Sequence, residues 1–309
     1  MDQLDTLTRI NLDDLVTSFG WQDQPVLSRA LRGLFHTPAR TFAKQMVEFD
    51  TAVGSLGLAD ASRFTQRHYV KDVRLFSNPL PAGPFLALSN HPGMTDTLSL
   101  FCALGRPDLK IIALDRPFLN ALPNMSRQLF YLKEDAASRM SLVRQVTSHL
   151  RAGGAVLTFP AGQIEPDPDV HDNALDSLQH WTDSAGVFIR MAPETPVLPM
   201  LVRNVVWQKA ARHPLIYIRK TPSEQEKLAA ALQLLAHILW KTRPVTVRVQ
   251  VGRPIFAKEL GTTNPAVIHQ AVLAGMKYLI EHPPRGDGQS VMHPPQSAVA
   301  PASMGSSPL

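Results

Sequence analysis

The chain has 309 residues, 44% hydrophobic and 18% charged, the balance of a folded protein with one large core and an appendage. Its single cysteine, Cys102, excludes internal disulfides and any multi-cysteine metal site, and points to a reducing compartment. The formal charge of +5, from 31 Lys and Arg against 26 Asp and Glu, favours an anionic partner, and no uninterrupted apolar run approaches the length of a bilayer span.

Residues 1 to about 24 are polar and weakly periodic, and read as a loosely packed arm. From there Val26, Leu27, Leu31, Leu34 and Phe35 recur at helical spacing; after a break at Pro38, Phe42, Met46, Phe49 and Val53 do so again, accompanied by Arg29, Arg32, Arg40 and Lys44. A basic amphipathic helix of this kind either lies in a membrane interface or packs on the main domain, and ordinary packing is the simpler expectation. The expected organisation is an N-terminal helical segment over 1–60, an α/β domain over 61–282 and a disordered tail over 283–309, rich in proline, glycine and serine.

Residues 70–76 and 85–89 predict two strands with a Pro/Gly turn between them. Further strands are predicted at 110–115, 128–133, 155–160, 196–203, 215–219 and 245–251. Helical patterns occupy 97–104, 138–152, 184–192, 228–240 (behind a Ser223 cap) and 266–280. Strands separated by helix-length segments imply crossovers, hence an α/β fold with a mixed, largely parallel sheet flanked by helices. The loops after Leu88, Leu132 and Phe159 then share the carboxyl edge of the sheet.

The chain is organised around Leu86-Ala-Leu-Ser-Asn-His-Pro-Gly-Met-Thr-Asp96. An apolar strand stops at Asn90-His91, bends through Pro92-Gly93 and restarts as a helix, which puts an imidazole at an exposed strand end. Asp96, in the first helical turn, is placed to accept a hydrogen bond from one imidazole nitrogen and leave the other as a general base. The spacing alone does not choose, because His171/Asp176 and His282/Asp287 repeat it. Only His91 follows an apolar strand and precedes an apolar helix; its bland alternative is a histidine that caps a turn.

Taken together, four ordered blocks resemble the glycerolipid and lysophospholipid acyltransferase superfamily, which includes glycerol-phosphate and lysophosphatidate acyltransferases. Asn90-His91-Pro-Gly-Met-Thr-Asp96 is similar to the family's His-x4-Asp block, and Phe130-Tyr-Leu-Lys133 to a strand ending in a cation, with Lys133 where the family usually has arginine. Phe159-Pro160-Ala161-Gly162 resembles the Phe-Pro-Glu-Gly block, and Val197-Leu198-Pro199 the Val-Val-Pro block. Two departures bear on the acceptor: Ala161 replaces the glutamate, and Ile164 stands where many members carry arginine.

The resemblance implies transfer of a fatty acyl group from acyl-CoA or acyl carrier protein to a hydroxyl of a lysophospholipid or related glycerolipid, with His91 as base and Asp96 as its orienting acid. Arg116 and Lys133 are candidate phosphate contacts. Backbone N–H groups around Pro160, Ala161 and Gly162 are candidates for the oxyanion or the acceptor head group, and Gln163 and Glu165 for the polar contacts of the missing glutamate. No metal or cofactor is expected, since the acyl thioester is a co-substrate. The expected partners are a lipid acceptor and a membrane surface, with the protein peripheral on its cytoplasmic face. The competing reading is a non-catalytic lipid or acyl-thioester binding relative. A metal-dependent hydrolase using His91, Asp96 and His171 ranks below it because no paired His block is present. Nucleic-acid binding ranks low because no concentrated basic run occurs.

Overall fold

The computed structural model describes residues 2–293 apart from residue 78, and not the side chains of Met94 and Ser223. In chain order the elements are α1 (Gln3–Phe19), α2 (Pro25–Leu56), α3 (Leu58–Gln66), β1 (Asp72–Phe76), β2 (Phe85–Ser89), α4 (Met94–Leu104) and β3 (Lys110–Leu114). Two single turns, α5 (Pro117–Asn120) and α6 (Pro123–Ser126), lead to β4 (Leu129–Leu132), α7 (Ala136–Arg151), β5 (Ala155–Thr158), α8 (Ser184–Met191) and β6 (Val197–Arg203). The chain continues through α9 (Gln208–Ala211), α10 (Pro222–Trp240), β7 (Thr246–Val251), α11 (Pro265–Glu281) and β8 (Gln289–Ser290).

All eight strands form one sheet in the order β4-β3-β5-β2-β6-β7-β1-β8. The first five in that order run parallel, β7 turns antiparallel to β6, β1 lies parallel to β7, and β8 antiparallel to β1. This is the mixed, largely parallel sheet that the pattern predicts. The two strands read as joined by a turn, β1 and β2, are not neighbours: β6 and β7 lie between them. Residues 77–84 therefore form a crossing connection, and Val73, fully buried, finds its partner in Val247 of β7.

Central strands β2, β5 and β6 are buried along their whole length, as parallel strands covered on both faces must be. Alternation along β2 divides its side chains between layers. Leu86 and Leu88 join Val146, Leu150, Phe188 and Met276 on one face, while Phe85 and Ala87 join Phe49, Leu100 and Phe101 on the other.

The N-terminal arm is in fact helix α1, with Leu7, Leu12, Val16 and Phe19 buried. Its apolar stripe is one residue wide at each turn, so the polar majority hides the period. Pro38 does not end the helix as expected: α2 runs through it, and Asn11 of α1 donates to the Ala39 carbonyl at 3.2 Å. Burial of Leu31, Ala39, Phe42 and Met46 outweighs an interior-proline cost of roughly 3 kcal/mol. The predicted strand at 215–219 is a 3₁₀ turn, Pro214–Ile218, in which only Ile216 is buried. Thr221, not Ser223, caps α10, with Glu224 closing the reciprocal bond. Part of the expected disordered tail is ordered, since Gln289 and Ser290 pair with β1 and Val291 and Met292 are buried; residues 294–309 lie outside the described residues.

Irregular backbone is held by buried acids at two places. Asp50 of α2 accepts the N–H groups of Asn124 (2.9 Å) and Met125 (2.8 Å), which fixes α6. Asp167, fully buried, accepts from Asp169, Asn204, Val205 and Val206, joining the loop after β5 to the loop after β6. Asp167→Ala is expected to strand these donors and destabilise the fold by at least about 3 kcal/mol, read as a lower urea midpoint at unchanged slope; a loss under about 1 kcal/mol would remove Asp167 from this role.

Candidate active site

The site is built at the carboxyl end of β2. Asn90 extends that strand with its side chain: Oδ1 accepts from the Val202 N–H at 2.8 Å and Nδ2 donates to the Val202 carbonyl at 2.9 Å. The residue before His91 is thereby tied to β6. On the other side Gln66 of α3 donates to the Thr95 carbonyl (2.6 Å) and Ser99 Oγ (2.7 Å), which anchors the start of α4.

His91 and Asp96 meet across the bend. Nδ1 of His91 lies 2.8 Å from Oδ2 of Asp96, a carboxylate with no exposed side-chain surface. The same oxygen accepts from the Gly93 N–H at 2.9 Å, and the other accepts from the N–H and hydroxyl of Thr97. The His91 side chain keeps 31% of its surface exposed, and its ring leans on Phe159 with centroids 4.8 Å apart. Because Nδ1 is taken by Asp96, Nε2 is the nitrogen left to exchange a proton. Burial lowers the imidazole pKa, but the charge and hydrogen bond of Asp96 and the charge of Glu165 outweigh it and the opposing Arg116, leaving it raised. Among the described residues, neither His171/Asp176 nor His282/Asp287 closes into a hydrogen-bonded pair.

The parallel strands bring the other candidates to the same edge. Lys133, after β4, pairs with Asp115 at 3.5 Å and stays half exposed. Arg116, after β3, is exposed, forms no ion pair among the described residues, and lies close enough to His91 to influence it. In the loop after β5, Pro160 has no N–H and the Gly162 N–H is spent on the Phe159 carbonyl at 3.0 Å. Of the three residues expected to offer backbone donors, Ala161 alone retains one. Gly162 is in the left-handed region at φ 64°, where its lack of a Cβ is used for the turn itself. Gln163 is exposed.

Glu165 departs from the expectation of a substrate contact. It is 2% exposed, with Oε2 accepting from the His91 N–H at 3.2 Å and Oε1 from Ser177 Oγ (3.1 Å) and Trp181 Nε1 (2.7 Å). Burial pushes its pKa up to about 7 against these hydrogen bonds. Asn90, Gln66, Ser177 and Trp181 carry no spacing signal that the sequence reading used, since each acts across a tertiary contact. Leu122 and Met125, in the turns between β3 and β4, are buried in the core.

A cavity of about 600 Å³ lies at the opposite edge of the sheet, past the ends of β1 and β7, lined by Phe76, Val251, Phe256 and Tyr278. Its lining includes Arg253 paired with Glu259 at 3.5 Å but no histidine. No group of three or more His, Cys, Asp or Glu side chains among the described residues is gathered as a metal site.

Comparison with known proteins follows this geometry. No curated protein matches the chain. Among solved structures it is similar to the 1-acyl-sn-glycerophosphate (LPA) acyltransferase PlsC from Thermotoga maritima, at 18% identity over 91% of this chain and 98% of that one, with a TM-score of 0.42. The acyltransferase family model matches residues 62–203, from within α3 to the end of β6, and takes in His91, Asp96, Lys133 and the loop after β5. Over residues 62–203, then, the chain is similar to the acyltransferase family.

Proposed function

We propose that the protein transfers a fatty acyl group from an acyl thioester, on coenzyme A or acyl carrier protein, to a hydroxyl of a lysophospholipid or related glycerolipid. The observation that carries this reading is the His91–Asp96 pair within the family domain: a fully buried carboxylate 2.8 Å from Nδ1, with the imidazole opening toward the edge. In the reaction Nε2 takes the acceptor hydroxyl proton as the oxygen attacks the thioester carbonyl. Collapse of the tetrahedral oxyanion breaks the C–S bond, and the imidazolium returns the proton to the leaving thiolate. No side chain is acylated. The Ala161 N–H is a backbone donor available for the oxyanion, and Arg116, which forms no ion pair among the described residues, is a cation for a phosphate on acceptor or donor. A non-catalytic binding relative has no use for an imidazole held in one tautomer by a buried acid.

No described helix is long and apolar enough to cross a membrane. We place the protein peripherally on an anionic bilayer, the cytoplasmic face being the one that fits the reading. The 3₁₀ turn Pro214–Ile218 exposes Leu215, Tyr217 and Ile218, with Lys209, Arg212 and Lys220 beside them in the chain. Arg219 packs on Gly20, so the turn adjoins the α1–α2 corner, where Val26 and Leu27 are also exposed. Apolar tips among cations are suited to an interface that bears phosphate.

His91→Ala is expected to lower kcat roughly 10²- to 10⁴-fold when thiol release from acyl-CoA is followed with a lysophospholipid acceptor; near-normal turnover would overturn the role. Only neutral His91 accepts a proton, so kcat/KM should climb with pH along a limb above the usual histidine value. Asp96→Asn removes the leading charge that raises this pKa and should move the limb to lower pH with severe loss of rate; an unmoved limb would count against the pair. The double variant Tyr217→Ser with Ile218→Ser should lose co-sedimentation with phosphatidylglycerol vesicles while keeping turnover of a short-chain, soluble acceptor; undiminished sedimentation would exclude this surface.

A further inference from the structure

We propose that Glu165 is a positioning residue that holds the His91 main chain, so that the base is fixed at two points, its ring by Asp96 and its backbone by Glu165. The proposal rests on His91 acting as the base. Its evidence is a two-way clasp. The His91 N–H donates to Glu165 Oε2 at 3.2 Å, and the Glu165 N–H donates to the His91 carbonyl at 2.9 Å.

The chemistry of the clasp requires an acid. Oε2 faces one donor, the His91 N–H, and Oε1 faces two, Ser177 Oγ and Trp181 Nε1. A carboxylate accepts on both sides, whereas a carboxamide has to turn its NH₂ toward a donor on one of them. Burial then makes the mismatch costly, because no solvent reaches the 2%-exposed group to relieve it. Trp181 and Ser177 are themselves set by the 3₁₀ turns over 172–180, so the carboxylate links that segment to the end of β2.

The loop after β5 sends its acid inward to the base rather than outward to the acceptor. Charge follows from the same placement. The groups that face His91 are Asp96 from α4, Glu165 from the β5 loop and Arg116 from the end of β3, and the two acids raise its pKa. Glu165 is faced by His91 and by Glu226 of α10, whose own pKa is pushed up to about 7 by burial and by the Glu165 charge.

Glu165→Gln is expected to lower kcat about tenfold or more with the KM for acyl-CoA little changed, and to move the acid limb of kcat/KM to lower pH, because a charge that raises the His91 pKa is gone. A kcat close to that of the wild type, or a reduced kcat with an unmoved limb, would overturn the positioning role. A second measurement needs no variant and no turnover. In the intact protein, NMR should show the His91 amide proton following the Glu165 carboxyl carbon as well as the His91 ring carbons through their titrations; an amide shift that is flat, or that follows the ring carbons alone, would also overturn it. A wild-type chain without acyltransferase activity would defeat the proposed function, while the amide titration would still report on the clasp.

Discussion

A carboxylate with no exposed surface governs the structure of the site. Asp96 is stable as a buried group only because every direction around it offers a donor: the His91 imidazole, the Gly93 and Thr97 N–H groups and the Thr97 hydroxyl. Those donors belong to the bend between β2 and α4, so satisfying the acid and shaping the bend are one event. Its seat in the first turn of α4 adds the favourable end of the helix dipole. The imidazole orientation is thus a consequence of folding.

The same device recurs around the carboxyl edge. Strands there give way to loops whose N–H groups lack ladder partners, and buried acids supply the acceptors. Glu165 clasps the His91 backbone, and Asp167 gathers four amides from two loops. The rim of the site is consequently held by charge buried beneath it, while the cations Arg116 and Lys133 stay at the surface. That separation leaves positive charge outward and negative charge inward, beside His91.

Much of this was legible in the chain. The alternation of apolar strands and helical patterns determined a largely parallel sheet, because crossover connections permit little else. The bend at Pro92-Gly93 placed His91 at a strand end and Asp96 within reach, and the order of four short blocks pointed to an acyltransferase. Local signals failed where a neighbour overrode them. Helix α1 was hidden by its polar majority, Pro38 was carried by packing on both sides, and 215–219 had strand-like residues but closes as a 3₁₀ turn that buries Ile216 alone.

Tertiary structure alone decided which sheet positions β1 and β2 take, because pairing partners such as Val73 and Val247 lie far apart in the chain. It also decided the fate of the loop after β5: the turn consumes the Gly162 N–H and leaves Ala161 as the donor. It made Glu165, a candidate polar contact for the substrate, a buried acceptor, since the donors it serves come from residues 91, 177 and 181. Spacing along a sequence reports contacts within one turn of chain. The direction a buried carboxylate faces depends on donors that only the assembled layers bring together.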